Sequence, residues 1–169
     1  FHLERRELET ARYIVPNSDF VQRQLAHYYP EFAHKLTEEI VPGVAVLSRR
    51  DWKRSPADGG IVGFVGKEWR RKGLPLAAEI VKRLRQERPN LELWVAGPQP
   101  QEVQHLFAGW QGGYRLLGWR SDTEHLRQID VLLHPARAEP YGMVIAEAMA
   151  AQSRVVVSDV CGAATQVVA

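Results

Sequence analysis

The chain has 169 residues, 45% hydrophobic and 25% charged, with a formal net charge of +2 at pH 7. This is the composition of an ordinary globular chain with room for an α/β core, and so small a charge excludes nucleic acid as a bulk electrostatic partner. The one cysteine, Cys161, excludes an intrachain disulfide framework and fits a reducing compartment, and no apolar run reaches the ~18 residues of a membrane span.

Phe1-His2-Leu3-Glu4-Arg5-Arg6-Glu7 is charged and does not form a signal peptide; it starts mid-pattern, as though an upstream half were removed. Residues 3–12 predict a helical lead-in. Tyr13-Ile14-Val15-Pro16 reads as a short strand. Asn17-Ser18-Asp19 then supplies cap residues for a helix that turns Phe20, Val21, Leu25 and Tyr28 inward and ends at Pro30. Ile40-Val41-Pro42-Gly43-Val44 reads as another strand with a turn. Residues 48–60 are polar, carry a proline and a glycine pair, and read as a linker.

The composition changes at Ile61. Ile61-Val62-Gly63-Phe64-Val65-Gly66 is a buried strand, and Lys67-Glu68-Trp69-Arg70-Arg71-Lys72-Gly73 follows with four cations in six residues. Leu74, Ala77, Ala78, Val81 and Leu84 recur at helical spacing, and Pro89 ends the helix. This unit sets cations at the carboxyl end of a parallel strand, where open α/β sheets bind ligands. A departing diphosphate accumulates negative charge that such cations can stabilise, although a plain solvated loop has the same composition. The spacing Gly63-x-x-Gly66 is not a dinucleotide fingerprint, and no P-loop pattern occurs.

Leu91–Ala96 is the next strand, closed by Gly97-Pro98. A short helix is predicted around residues 101–108 through Val103, Leu106 and Phe107. Tyr114–Leu117 is a strand ending at Gly118-Trp119-Arg120, and Asp122 can cap a helix running through Leu126.

Ile129–Leu133 is too short for a helix and suits a parallel strand covered on both faces. Pro135 stops it. Pro140 disfavours helical geometry at Glu139, which therefore lies in the loop just ahead of a helix starting near Gly142. Glu147 sits about 1.5 turns inside that helix, roughly 7–8 Å along its axis. The unpaired N–H groups of the helix start, near Met143 and Val144, suit a phosphate, and Gly142 allows close approach. A nucleotide diphosphate bearing a sugar has anionic oxygens for the helix start and hydroxyls for a carboxylate on either side. Spacing alone also fits a plainer arrangement, with Glu139 favouring the helix dipole and Glu147 merely solvated. Val155–Asp159 is the last strand, and Gly162–Ala169 begins a helix.

These residues carry a resemblance. Glu139-x7-Glu147, with Pro135-Ala136-Arg137 before it and Tyr141-Gly142-Met143-Val144-Ile145-Ala146-Glu147-Ala148 inside it, resembles the signature of the retaining glycosyltransferases of family 4, which use the two-domain GT-B fold. His134-Pro-Ala-Arg-x-Glu139 and Val160-Cys161-Gly162 make it most similar to the lipopolysaccharide-core glucosyltransferase branch. Val15-Pro-Asn-Ser18, Tyr29-Pro30, Val41-Pro-Gly-Val44, Phe64-Val-Gly66 and Arg71-Lys-Gly-Leu74 add to the likeness. One departure is Gly162-Ala-Ala-Thr-Gln166, where the family often has Gly-Gly-x-Pro-Glu.

The fold this implies is α/β: a Rossmann-like parallel sheet flanked by helices, the truncated C-terminal domain of a GT-B fold. Residues 1–47 become the tail of the N-terminal, acceptor domain with its linker, 48–60 the loop or linker, and 61–169 a nucleotide-sugar-binding domain incomplete at its C-terminus. The function implied is retaining transfer of a hexose from a UDP-sugar to a glycan or lipid-linked, lipopolysaccharide-type acceptor, recognised through the missing N-terminal half. Glu139 would hold sugar hydroxyls and help organise the transition state. Lys72, Arg71 and the N–H groups near Met143 and Val144 would stabilise the diphosphate, and Glu147 would take the ribose hydroxyls. Trp119 and Arg120 are candidates for packing the base, though Trp119 could equally fill core or loop space. Lys67, Arg70 and Trp69 are weaker diphosphate candidates. His134 could donate to a sugar or phosphate oxygen or serve only structure. No metal and no cofactor beyond the UDP-sugar are implied. The expected setting is cytoplasmic, with peripheral contact at the inner membrane face.

The six histidines show no metal-ligand spacing, and no Gly-x-Ser-x-Gly elbow supports Ser-His-Asp chemistry. A Rossmann dehydrogenase lacks its glycine fingerprint here. A non-catalytic nucleotide-sugar-binding module of the same fold is the remaining alternative.

Overall fold

The computed structural model describes residues 2–45 and 59–167. Five parallel strands, β1 (Gly60–Val65), β2 (Leu91–Ala96), β3 (Tyr114–Gly118), β4 (Val131–His134) and β5 (Arg154–Val157), form one sheet in the order β3-β2-β1-β4-β5. Five helices accompany them: α1 (His2–Thr10), α2 (Asp19–Tyr28), α3 (Leu74–Glu87), α4 (Pro100–Val103) and α5 (Met143–Ala150). The α/β expectation holds. The strand order reverses between β1 and β4, and in doubly wound sheets the crevice at that reversal takes the ligand.

The alternation of strand side chains sorts the core onto two faces. Val62, Phe64, Leu93, Val95 and Leu133 point to the α3 side and pack with Leu74, Ala77, Ala78 and Val81. Ile61, Trp94 and Leu132 point the other way, against Ile129, Ile145 and Ala148. Both faces of the inner strands β1 and β4 are covered, which explains why they read as continuous apolar runs, whereas β5 at the sheet edge leaves Val156 55% exposed.

Residues 2–45 form a small helical unit. Arg5 pairs with Glu31 at 2.8 Å, and Lys35 Nζ donates to the carbonyls of Leu8 and Glu9. Ser18 caps α2 by accepting from Val21 N at 3.1 Å, and its hydroxyl donates to Pro140 O, joining this unit to the loop after β4. Among the described residues no helix is long and apolar enough to cross a membrane.

Several local expectations need correction. Tyr13–Pro16 is not a strand: Ile14 makes a single bridge to Leu36, and although Ile40 N donates to Pro16 O at 2.9 Å, Pro16 has no N–H to continue the ladder. Residues 40–44 are irregular, with Ile40 68% exposed, since an apolar β-branched run makes a strand only beside a partner. In α2, Tyr28 points outward. The helices predicted through Leu126 and from Gly162 are short 3-10 turns, Glu124–Arg127 and Gly162–Gln166. The predicted linker at 48–60 lies outside the described residues up to position 58.

Candidate functional site

The basic segment after β1 folds into a compact turn. Lys72 N donates to Glu68 O at 2.9 Å and Leu74 N to Trp69 O at 2.9 Å, while the Trp69 ring is buried at the edge of the core. Trp69 is thus a wedge that shapes the turn rather than a ligand group; it meets His105 edge-on and carries the Arg70 guanidinium on its face at 3.9 Å. Gly66 leaves room here for the Lys72 stem: a Cβ on it would lie 2.3 Å from Lys72 Cδ, and the lysine would have to shift. The lysine stem therefore runs across the glycine toward β4.

The loop after β4 is held from both sides. Glu139 N donates to Val160 O at 3.2 Å and Gly162 N to Glu139 O at 2.9 Å, a one-residue parallel bridge with Cys161. Arg137 N donates to Arg71 O at 3.0 Å, tying this loop to the basic turn. Glu139 is 7% exposed, and three groups reach its Oε2: Lys72 Nζ at 3.1 Å, His134 Nε2 at 3.4 Å and Arg71 Nη1 at 3.8 Å. Burial alone would push this carboxyl up. His134, Lys72 and Arg71 outweigh it and hold the carboxyl at about 2. It is an anion and an acceptor throughout the neutral range.

Lys72 and Arg71 are not equally available. Among the described residues Lys72 pairs with Glu139 alone, on a flexible stem with three donors. Arg71 also pairs with Glu68 and donates to Ala138 O. His134, the last residue of β4, is fully buried behind this cluster.

Gly142 caps α5 in the left-handed region at φ 92°, and a Cβ there would lie 3.1 Å from Glu139 Cγ and 2.8 Å from Ile145 Cδ1. The helix start and the carboxylate are therefore neighbours. Ile145 N is used by Gly142 O at 2.8 Å, which leaves the N–H groups of Met143 and Val144 as the outward pair at the helix start. Glu147 is half-buried on α5 and makes no ion pair among the described residues.

Lys67 and Trp119 come together next to this cluster: Gly97, which lines their cavity, packs closely against Gly66. Lys67 Nζ lies 4.0 Å from the centre of the Trp119 ring, and both line a cavity of about 360 Å³ with Gly97, Pro98, Gln99 and Glu102, at the carboxyl ends of β1 to β3. Trp119 is 56% exposed, so it fills no core. Arg120 is paired with Asp122 at 3.0 Å and touches none of the other candidates. The sequence reading missed the bed that Gly66 makes for Lys72, for which a glycine directly after a strand was the only signal. It also missed Gln99 and Glu102, whose capping box on α4 shapes the Lys67 cavity.

The larger cavity, about 720 Å³, lies between α2 and Pro140 and is mostly apolar, lined by Val15, Phe20, Leu25 and Tyr28 among others. It holds none of this chemistry. No group of His, Cys, Asp and Glu among the described residues is arranged to hold a metal.

Comparison with known proteins bears on this geometry. The family model described as glycosyl transferases group 1 matches residues 59–169. No curated protein matches the chain. Among solved structures, WaaG, a glycosyltransferase involved in lipopolysaccharide biosynthesis, is 24% identical with a TM-score of 0.72 over 90% of this chain and 46% of that one. Sucrose-phosphate synthase from Thermosynechococcus elongatus is 24% identical with a TM-score of 0.77, covering 99% and 45%. The pneumococcal O-GlcNAc transferase GtfA, solved with UDP and GlcNAc, is 18% identical with a TM-score of 0.76, covering 96% and 33%. These are likenesses of fold, and the chain spans less than half the length of each.

Proposed function

The chain belongs to the group 1 glycosyl transferases, and from that premise we propose that it is the donor-binding half of a retaining, family 4 enzyme. In this reading the enzyme transfers a hexose from a UDP-sugar to a glycan or lipopolysaccharide-type acceptor. The observation that carries it is the cluster of Lys72, Arg71 and His134 on Glu139, set between the ends of β1 and β4 and beside the start of α5. The likeness in fold to WaaG and to the UDP complex of GtfA supports the choice of donor and acceptor class.

The diphosphate would lie between the basic turn and the start of α5. Lys72, Arg71 and the N–H groups of Met143 and Val144 would then face the charge that grows as the sugar–phosphate bond breaks. Donors fixed before reaction favour the transition state over the ground state. Glu139, already an anion, would accept sugar hydroxyls and stabilise positive charge on the sugar ring; it has no proton to give at neutral pH. Glu147 would take the ribose hydroxyls, and Lys67 with Trp119 would bound the base. Residues 1–47 would close the acceptor-side domain, with catalysis set in the cytoplasm at the inner membrane face.

Calorimetric titration with UDP, GDP, ADP and NAD tests this reading. Selective UDP binding is expected, weakened about tenfold or more by Lys72→Ala through the lost charge-assisted contact, and weakened also by Glu147→Ala. A preference for NAD, or UDP binding indifferent to both substitutions, overturns it.

A further inference from the structure

His134 is 0% exposed, and neither of its ring nitrogens makes a well-aligned hydrogen bond with any described group. Polar atoms sealed from water are rarely left so without reason. Glu139 Oε2 approaches the ring at 3.4 Å from Nε2. That distance is loose for a hydrogen bond, as is common where a contact tightens only on ligand binding.

The other partners of Glu139 are of a different kind. Lys72 reaches the same oxygen from a turn, on a mobile stem, and its ammonium is the natural partner of an incoming diphosphate. Arg71 stands further off and is already engaged by Glu68. The Cys161 thiol faces the cluster from the opposite segment and brings no positive charge. His134 sits on β4, an inner strand paired with both β1 and β5, and its carbonyl accepts from Ser158 N at 3.3 Å. Of the three donors, only this one cannot leave.

We propose that His134 is the positioning residue for Glu139, its Nε2–H holding Oε2 in place while Lys72 turns to the diphosphate. This rests on the donor-site reading and adds the group that keeps the carboxylate aimed once its ion pair has opened. The imidazole touches the carboxylate rather than the donor itself.

Two measurements on the 169-residue chain test this with His134→Phe, which removes the donor, and His134→Gln, which keeps an N–H near the same place. Thermal unfolding checks each fold first, and His134→Leu replaces the Phe variant if that one fails. Carbon-13 titration of the Glu139 carboxyl should move up by about one unit or more in the Phe variant and return toward the starting value with Gln. By calorimetry, the affinity of UDP-glucose relative to UDP should fall about tenfold in the Phe variant, and Gln should restore it. An unmoved carboxyl titration in the Phe variant, or equal losses with Phe and Gln, overturns the proposal. If the unaltered chain binds neither UDP nor UDP-glucose, the donor-site reading falls instead, and the carboxyl titration still decides the role of His134.

Discussion

Glu139 shows how one position can be stripped of water and still remain charged. Its ordinary value is 4.5; burial raises it, and His134, Lys72 and Arg71 together bring it down to about 2. A carboxyl lowered on folding stabilises the folded state fully above its unfolded value. That contribution drains away as the pH falls from about 4.5 toward about 2. The scale is up to about 3 kcal/mol. Urea unfolding across this window should show stability falling with acid, and Glu139→Gln should remove most of that slope. An unchanged slope in the variant would assign the acid sensitivity to other carboxyls.

At the scale of elements, the start of α5 depends on one backbone conformation. Gly142 holds φ 92°, and a methyl group there would press on Ile145 and Glu139 together. Gly142→Ala should cost about 2 kcal/mol or more, read as a lower urea midpoint, and should weaken nucleotide binding by shifting the helix start. A midpoint equal to that of the unaltered chain would mean that the turn has a second, unstrained path. The strands and α3 were legible because short apolar runs closed by Gly or Pro, and a clean helical period from Leu74 to Leu84, leave few alternatives. The run at 40–44 has the same residue types, but the segment beside it offers no edge that could extend the pairing: Ile40 N donates to Pro16 O at 2.9 Å, and Pro16 has no N–H to return it. Such an edge is a fact of tertiary structure that local pattern does not contain.

At the scale of the molecule, the site exists because the strand order turns back between β1 and β4. The acidic pair and the basic turn could be picked out as candidates from residue types and family likeness. Their contact could not, because Lys72 and Glu139 lie on different βα units that are brought together by the pairing of Val62 with Val131 and Gly63 with Leu132 and by the bond from Arg137 N to Arg71 O. Arg120 shows the converse. Its place after a strand made it a candidate for the base, yet a carboxylate two residues on holds it at the surface. That the Lys67–Trp119 cavity adjoins the Lys72–Glu139 cluster across Gly66 and Gly97 was likewise invisible before the ends of β1, β2 and β3 were set side by side.

The bridge between Glu139 and Cys161 carries one more consequence. Cys161 is 1% exposed, and burial pushes its thiol up, so a thiol reagent reaches it only when this segment swings open. The chain thus contains its own clock for the loop that holds Glu139, with no second cysteine to confuse the reading. Modification by a maleimide should be slow in the folded chain and fast in urea. It should slow further as UDP-glucose is added, in step with occupancy of the donor site. Labelling as fast in buffer as in urea would mean that the strap over Glu139 stands open before any donor arrives.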